Sequence, residues 1–299
     1  MALLNVPAAQ RWTAAARVHT LPAAVTPVLV GAGLAEHDGV FRVDALIWTL
    51  IGALAIQVAA NFANDASDAR RGADTEERLG PARMVSAGMI TPARMWLATA
   101  VAVVVAAAAG VALALIAGPV ILVIGAVSVV AMLGYVGGPK PYGYRGLGEL
   151  FVFIFFGLVA TVGSRYVYDS TAPLSAWLLA IPVGLLATAI LVANNYRDLD
   201  TDERVGKRTL AVILGPQRTR SLFALLAYGA FPVIVLFGVV GWTPLGTLFA
   251  AFWVPFATKP VSLIQTAKDG PSLIRALKLT ARLHLLTGLS LAAGAAITV

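Results

Sequence analysis

The chain has 299 residues, of which 59% are hydrophobic and only 12% are charged, whereas about a quarter of a soluble domain is charged. This composition excludes an ordinary soluble protein and indicates one that lies in lipid. The net charge of +7 does not indicate a nucleic-acid binder, because the cations lie in loops between apolar runs. The absence of cysteine excludes disulfides and thiolate chemistry.

Apolar runs long enough to cross a bilayer, about 20 residues each, recur along the whole chain. They predict an all-α, multi-pass membrane bundle of nine transmembrane helices, at 21–36, 44–64, 95–117, 119–136, 149–168, 174–195, 221–240, 243–258 and 280–298. A transmembrane β-barrel would instead show short segments of alternating polarity, whereas 96–116 is apolar on every face. We expect residues 1–299 to form a single membrane domain.

The distribution of cations predicts the orientation of the chain. If the N-terminus is cytoplasmic, all of the 22 Lys and Arg residues except Arg42 and Arg165 fall on the cytoplasmic side, in accordance with the positive-inside rule. The C-terminus then lies on the outer side of the cytoplasmic membrane. Two long polar loops, at about 65–94 and 197–220, share the cytoplasmic face, and loops of such length are usually functional or disordered.

The first loop begins with an Asp-rich cluster in the segment 61–74 (NFANDASDARRGAD). If the second helix continues to Asp68, then Asn61, Asn64, Asp65 and Asp68 share one helical face. Mg²⁺ prefers hard oxygen ligands and typically joins one or two carboxylates to substrate phosphates. The cluster therefore predicts a magnesium site at the end of this helix.

A second Asp-rich cluster occupies the segment 194–204 (NNYRDLDTDER), in which Asn194, Asp198 and Asp202 repeat every four residues. Two such stripes facing each other would repel strongly at low dielectric, so the clusters predict divalent cations, with two Mg²⁺ ions bridging one diphosphate. The alternative is that these are solvated loop charges. The shared plan of the clusters also suggests two parallel four-helix repeats plus one helix.

Basic residues near the clusters are candidates for neutralising a departing diphosphate, which needs fixed positive charge. They are Arg78, Arg83, Lys207 and Arg208, together with Lys140 in the turn 137–144 (GGPKPYGY). The alternative is that these cations are ordinary topology signals. Tyr142 and Tyr144 in the same turn either border an allylic cation or anchor the chain at the membrane interface.

These segments resemble the UbiA-type intramembrane prenyltransferases, and within that family the 1,4-dihydroxy-2-naphthoate polyprenyltransferases of menaquinone biosynthesis. The resemblance rests on 17–22 (RVHTLP), 61–74, 80–86 (GPARMVS), 138–148 (GPKPYGYRGLG) and 194–210 (NNYRDLDTDERVGKRTL). The first segment departs from the usual RPRTLP at Val18 and His19, while Arg17 matches. The resemblance implies nine helices, a cytoplasm-facing Mg²⁺ site and a long lipid-exposed groove for the prenyl chain.

The clusters and the resemblance together assign the expected site. The expected metal ligands are Asn61, Asp65, Asp68, Asn194, Asp198 and Asp202. Lys140 and Arg83, with Asp68 and Asp198, are expected to be catalytic. Substrate is expected to contact Arg17, Asn64, Arg78, Tyr142, Tyr144, Asn195, Arg197, Lys207 and Arg208.

The reaction implied by the resemblance is transfer of a polyprenyl group from its diphosphate to 1,4-dihydroxy-2-naphthoate, with loss of CO₂ and diphosphate, to give demethylmenaquinone. A related prenyltransferase acting on 4-hydroxybenzoate, homogentisate or haem is an alternative. A membrane transporter is disfavoured, because transporters need polar residues near mid-membrane and the charges here crowd one interface.

Overall fold

A computed structural model describes residues 7–72, 79–80, 83–137 and 141–297, and in these ranges the all-α prediction is confirmed. The described part of the chain contains no β-strand, only one backbone bridge between Arg145 and Arg208. The helices are α1 (Ala8–Ala16), α2 (Pro22–His37), α3 (Val43–Arg70), α4 (Pro92–Ala117), α5 (Val120–Val136), α6 (Gly148–Tyr166), α7 (Leu174–Arg197), α8 (Leu199–Arg204), α9 (Leu210–Val239), α10 (Leu245–Thr266) and α11 (Gly270–Ala296).

The protein is a multi-pass membrane protein by the length and composition of its helices. Among the described residues, α3, α4, α6, α7, α9 and α10 are long and apolar enough to cross a bilayer, and α1 with α2, bent by 52°, would add a seventh span. The apolar helix α5 has only 17 residues, and the first half of α11 carries Arg275, Lys278 and Arg282. The count of nine crossings and the internal repeat therefore stay predictions.

Local sequence signals set several helix boundaries. Thr91 caps α4 by accepting a hydrogen bond from the Arg94 backbone, with proline at the first helical position, where its missing N–H costs nothing. Thr209 and Asp269 cap α9 and α11 in the same way, by accepting from backbone N–H groups in the first helical turn. The chain bends between α1 and α2 at Arg17, which adopts a left-handed conformation with φ of 50°.

Small residues allow α2 and α10 to approach α11 closely. Gly33 of α2 lies directly against the Ala292 carbonyl oxygen of α11, where a Cβ atom would not fit. Gly246 and Gly294 are in similarly direct contact between α10 and α11. In lipid, such small-residue contacts favour helix association through close van der Waals packing.

Ion pairs join the turns at the other end of the bundle, away from the Asp-rich clusters. Arg165, near the end of α6, is 2% exposed and contacts Asp38 at 2.6 Å and Asp169 at 2.7 Å. The Ser170 hydroxyl donates to the Ala117 carbonyl at 2.9 Å. The hydrogen bonds from Arg165 lower the pKa of Asp169 to about 2. These contacts hold together the loops that follow α2, α4 and α6.

Candidate active site

An elongated cavity of about 340 Å³ lies between α2, α3, α4, α5, α6 and α7. Polar residues come mainly from the C-terminal halves of α3 and α7 and from the nearby loops, and they include Arg17, Asn61, Asn64, Asp68, Arg83, Asn194, Asn195 and Lys207. Apolar residues nearer the opposite ends of α2, α3, α5 and α6 line the remainder, among them Val28, Ala53, Ile121, Phe155 and Val159. The cavity therefore has a charged end and a long apolar part.

Asn61 and Asn64 of the first cluster both line the cavity, as their shared helical face predicted. The amide nitrogen of Asn61 donates to the Ala16 carbonyl at 2.9 Å and to the Thr20 hydroxyl at 3.1 Å. Its amide oxygen accepts no hydrogen bond from the described residues and remains on the cavity side. Asn61 thus presents a fixed oxygen, the ligand type that Mg²⁺ prefers.

Asp65 is buried but does not line the cavity. Its two carboxylate oxygens accept hydrogen bonds from the backbone N–H groups of Met84 and Val85, each at 3.0 Å. In this structure the carboxylate therefore holds the turn that carries Arg83. Because a carboxylate has about four lone-pair sites, it retains capacity for another partner, and the assignment of Asp65 as a metal ligand stays a prediction.

Asp68 lines the cavity and is the centre of its charged end. It accepts a hydrogen bond from the Tyr144 hydroxyl at 2.8 Å, and its other oxygen lies 3.5 Å from Arg83 and 3.8 Å from Lys207. Burial and the nearby Asp68 charge raise the pKa of Tyr144, so its hydroxyl remains a donor. Lys207 also lies 5.1 Å from the centre of the Tyr144 ring, within cation–π range.

The second cluster contains a break, because α7 ends at Arg197, although backbone hydrogen bonds still join Asn194, Asp198 and Asp202 at four-residue intervals. Asp198 follows as a non-helical residue, and Arg197 binds its carboxylate at both oxygens, at 2.8 and 2.6 Å. Arg197 also donates to the amide oxygen of Asn194 at 3.0 Å. Asp202, in the short helix α8, lies 3.6 Å from Lys207.

The two clusters are therefore close together, with Lys207 between Asp68 of the first and Asp202 of the second. Of the predicted ligands, Asn61, Asp68 and Asn194 line the cavity. Asp65, Asp198 and Asp202 are buried behind its surface. Among the described residues no group of three or more His, Cys, Asp or Glu side chains is arranged to hold a metal ion.

The remaining predicted substrate contacts differ in position. Tyr142 lines the cavity, donates to the Ala131 carbonyl at 2.7 Å and stacks on Phe151 at 3.9 Å. Arg208 is exposed and does not line the cavity. The predictions for Arg78 and Lys140 lie outside the described residues.

Several cavity residues were not singled out by the sequence. Gln57 lies one helical turn before Asn61 and donates to the Thr20 hydroxyl at 3.1 Å; its spacing from Asn61 was the available signal. Tyr135 lines the cavity from α5. Glu149, at the start of α6 and behind the cavity lining, accepts a hydrogen bond from Asn195 at 2.9 Å. No local pattern links residues so far apart in sequence.

A helical membrane protein with this cavity belongs to a class that can bind an amphiphile with an anionic head and a long apolar tail. The profile of the UbiA prenyltransferase family matches residues 24–286, and the chain belongs to that family. It is 38% identical over 289 residues to a 1,4-dihydroxy-2-naphthoate octaprenyltransferase of Mycobacterium tuberculosis, covering 94% of this chain and 95% of that protein. The enzyme of the same name from Escherichia coli is 34% identical, with 94% and 93% covered.

Solved structures share the fold at low sequence identity. A UbiA homolog from Aeropyrum pernix K1 has a TM-score of 0.69 and 15% identity, covering 90% of this chain and 96% of that one. A UbiA homolog from Archaeoglobus fulgidus, bound to DMAPP and Mg²⁺, has a TM-score of 0.64 and 14% identity, covering 94% and 98%. At such identity the likeness concerns the fold.

Proposed function

We propose that the protein transfers a polyprenyl group from polyprenyl diphosphate to 1,4-dihydroxy-2-naphthoate, with loss of CO₂ and diphosphate, to give demethylmenaquinone. The observation that carries this proposal is the cavity, in which Asp68, Arg83 and Lys207 meet at one end and an apolar tunnel follows. Relatives similar over nearly their whole length are named 1,4-dihydroxy-2-naphthoate octaprenyltransferases, which supports this choice of substrates.

In this function, Arg83 and Lys207 stabilise the negative charge that grows on the departing diphosphate. Fixed cations in a water-poor site are worth more than in water and need no reorganisation during the reaction. The apolar walls around Phe155 and Val159 exclude water that would quench the allylic cation. Lys140, whose contacts lie outside the described residues, stays a predicted third cation.

We also propose that the site uses Mg²⁺. Asn61, Asp68 and Asn194 line the cavity, and side-chain oxygens of the kind they carry fit Mg²⁺, which prefers few protein ligands together with substrate phosphates. When bound, the metal would neutralise diphosphate charge during bond cleavage. We propose that a second Mg²⁺ ion binds there, with Asp65, Asp198 and Asp202 as further ligands. We also propose that the site lies at the cytoplasmic face.

The experiment is a product assay with purified protein, octaprenyl diphosphate, 1,4-dihydroxy-2-naphthoate and Mg²⁺, with and without EDTA. We expect product with metal, none with excess EDTA, and recovery when Mg²⁺ is restored. Asp68→Asn should lower turnover at least a hundredfold, the range seen when one charge-stabilising group is removed from an active site. Asp44→Asn is the matched control, because that carboxylate is 51% exposed near the opposite end of the same helix.

Turnover that persists at full rate in EDTA would contradict the metal proposal, and full activity of Asp68→Asn would contradict the assignment of this end of the cavity. Replacing the naphthoate by 4-hydroxybenzoate or homogentisate tests the acceptor, and faster turnover of either would reassign it. Substrate flux into proteoliposomes without product formation would instead support a transporter.

A further inference from the structure

A buried hydrogen bond joins the start of α6 to the end of α7 beside the cavity. The amide nitrogen of Asn195 donates to one carboxylate oxygen of Glu149 at 2.9 Å. Asn195 is 4% exposed and lines the cavity, and Glu149 is 6% exposed and does not. The other carboxylate oxygen of Glu149 has no partner among the described residues. Burying an ionisable side chain with one unpaired oxygen costs free energy, so the presence of Glu149 at this position needs a reason.

The pairing fixes which end of the Asn195 amide faces the cavity. In this structure the amide nitrogen of Asn195 donates to Glu149, the pairing that an ionised carboxylate requires because it can only accept hydrogen bonds, and the amide oxygen points away. That oxygen accepts no hydrogen bond from any described residue, yet it is not sealed from the cavity. Asn195 therefore presents a hydrogen-bond acceptor of fixed orientation to whatever occupies this part of the site.

A fixed acceptor oxygen can take either a hydrogen-bond donor or a cation, and the aromatic surroundings favour the donor here. The oxygens of an ionised diphosphate are acceptors and cannot pair with it, whereas a phenolic hydroxyl can. The surroundings also suit a flat ring: Tyr135 and Tyr142 line the cavity with ring centres 5.5 Å apart, and Tyr142 stacks on Phe151 at 3.9 Å. A Cβ atom on Gly148, the residue before Glu149, would lie 3.2 Å from the Tyr135 ring, so this aromatic wall borders the buried pair.

We propose that Glu149 is a positioning residue that orients Asn195, and that the Asn195 amide oxygen accepts a hydrogen bond from a hydroxyl of the aromatic prenyl acceptor. This inference rests on the proposed function and assigns the acceptor side of the same cavity. It separates Asn195 from its neighbour Asn194, whose oxygen accepts from Arg197. Glu149 acts through Asn195 and does not contact the substrate.

The test reverses the polarity of the pair. Glu149→Gln lets the Asn195 amide rotate, because a glutamine amide can pair with either end of it, and Asn195→Asp places two carboxylates against each other. In the double variant Glu149→Gln/Asn195→Asp, the new glutamine donates to the new aspartate, whose second oxygen again faces the cavity as an acceptor. Side-chain shapes are unchanged throughout. Thr188→Val is the matched control, a buried polar site of α7 that donates to the Gly184 carbonyl of its own helix.

For each variant, KM is measured separately for the aromatic acceptor and for octaprenyl diphosphate, together with the Mg²⁺ dependence and the melting temperature in detergent. We expect each single substitution to raise the acceptor KM about tenfold, the effect of one net hydrogen bond. The prenyl diphosphate KM and the Mg²⁺ dependence should remain within about twofold of the unmodified enzyme. The double variant should recover most of the acceptor KM, and Thr188→Val should leave it unchanged.

Three results would overturn the inference: equal acceptor KM values in all variants, a double variant no better than the worse single one, or a shift in Mg²⁺ dependence in place of acceptor KM. The last would make Asn195 a metal ligand. If the unmodified enzyme uses another phenolic acceptor, the proposed function is wrong. The same four variants then test the inference with that acceptor. A fall in melting temperature with unchanged KM assigns the pair a structural role and also counts against it.

Discussion

Replacing Asp65 by Asn should loosen the segment that carries Arg83. The Asp65 carboxylate accepts from two consecutive backbone N–H groups, those of Met84 and Val85, each at 3.0 Å and buried. An asparagine side chain has one oxygen, so it can replace only one of the two bonds, and its NH₂ group opposes the remaining N–H. The substitution changes neither the size of the side chain nor the cavity lining.

The expected magnitude follows from the two bonds. A hydrogen bond to a charged group contributes about 1.5–3 kcal/mol, so losing one and weakening the other costs at least about 2 kcal/mol locally. Because about 1.4 kcal/mol corresponds to a factor of ten, amide hydrogen exchange at Met84 and Val85 should accelerate about thirtyfold or more. Turnover should fall as well, because Arg83 lies 3.5 Å from Asp68 and its position depends on this turn.

The assay is hydrogen exchange with mass spectrometry on a peptide that covers 83–90, in detergent, at one protein concentration. Asp44→Asn is again the matched control, because its exposed carboxylate pairs with the half-exposed Arg42, and exposed pairs contribute little. Unchanged exchange in this peptide, with turnover lost, would refute the structural reasoning and would favour direct metal binding by Asp65.

Three further variants test other contacts. Tyr144→Phe removes the hydrogen bond to Asp68 and should lower kcat/KM for prenyl diphosphate about tenfold; an unchanged value would remove Tyr144 from the site. Lys207→Met should lower kcat about a hundredfold by removing fixed positive charge from the cavity, and wild-type kcat would exclude Lys207 from catalysis. Arg165→Met should lower the free energy of unfolding by about 2–3 kcal/mol, less than for fully buried pairs, with kcat preserved. The folded-state pKa of Asp169 is depressed to about 2. Its pairing with Arg165 therefore stabilises the folded protein at pH values above the usual pKa of an aspartate, and this stabilisation is lost as the pH falls from about 4 to 2. The melting temperature of Arg165→Met should not show this fall, and parallel pH profiles of the variant and the unmodified protein would contradict the assignment.

The first cluster was predictable because it depends on the regular geometry of one helix. With about 100° between successive residues, Asn61, Asn64 and Asp68 fall on one side of α3, and all three line the cavity. Asp65 lies at the edge of the same face, and there the turn at Met84 competes for its carboxylate. Helical periodicity indicates the face of a side chain but not which of two neighbours it binds.

The second cluster was less predictable because its contacts depend on a break in the helix at Asp198. Backbone hydrogen bonds still join Asn194, Asp198 and Asp202 at four-residue intervals, but only Asn194 lines the cavity. The ion pair between Arg197 and Asp198 forms at this break. The partnership of Glu149 with Asn195 depends on the packing of α6 against α7, which charge and periodicity alone do not determine.

The two clusters hold their cations at different distances, and the cations differ in whether they face the cavity. Arg197 binds Asp198 through two short bonds, at 2.8 and 2.6 Å, so separating them would be expensive in a buried position. Arg83 and Lys207 lie 3.5 and 3.8 Å from Asp68, longer than the usual 2.7–3.2 Å for an N–H···O bond. Arg197 is therefore committed to the shape of the loop and does not line the cavity, whereas Arg83 and Lys207 line it together with Asp68. Asp68, Arg83 and Lys207 thus supply the charge at this end of the cavity, and the pair of Arg197 with Asp198 supports the adjoining loop.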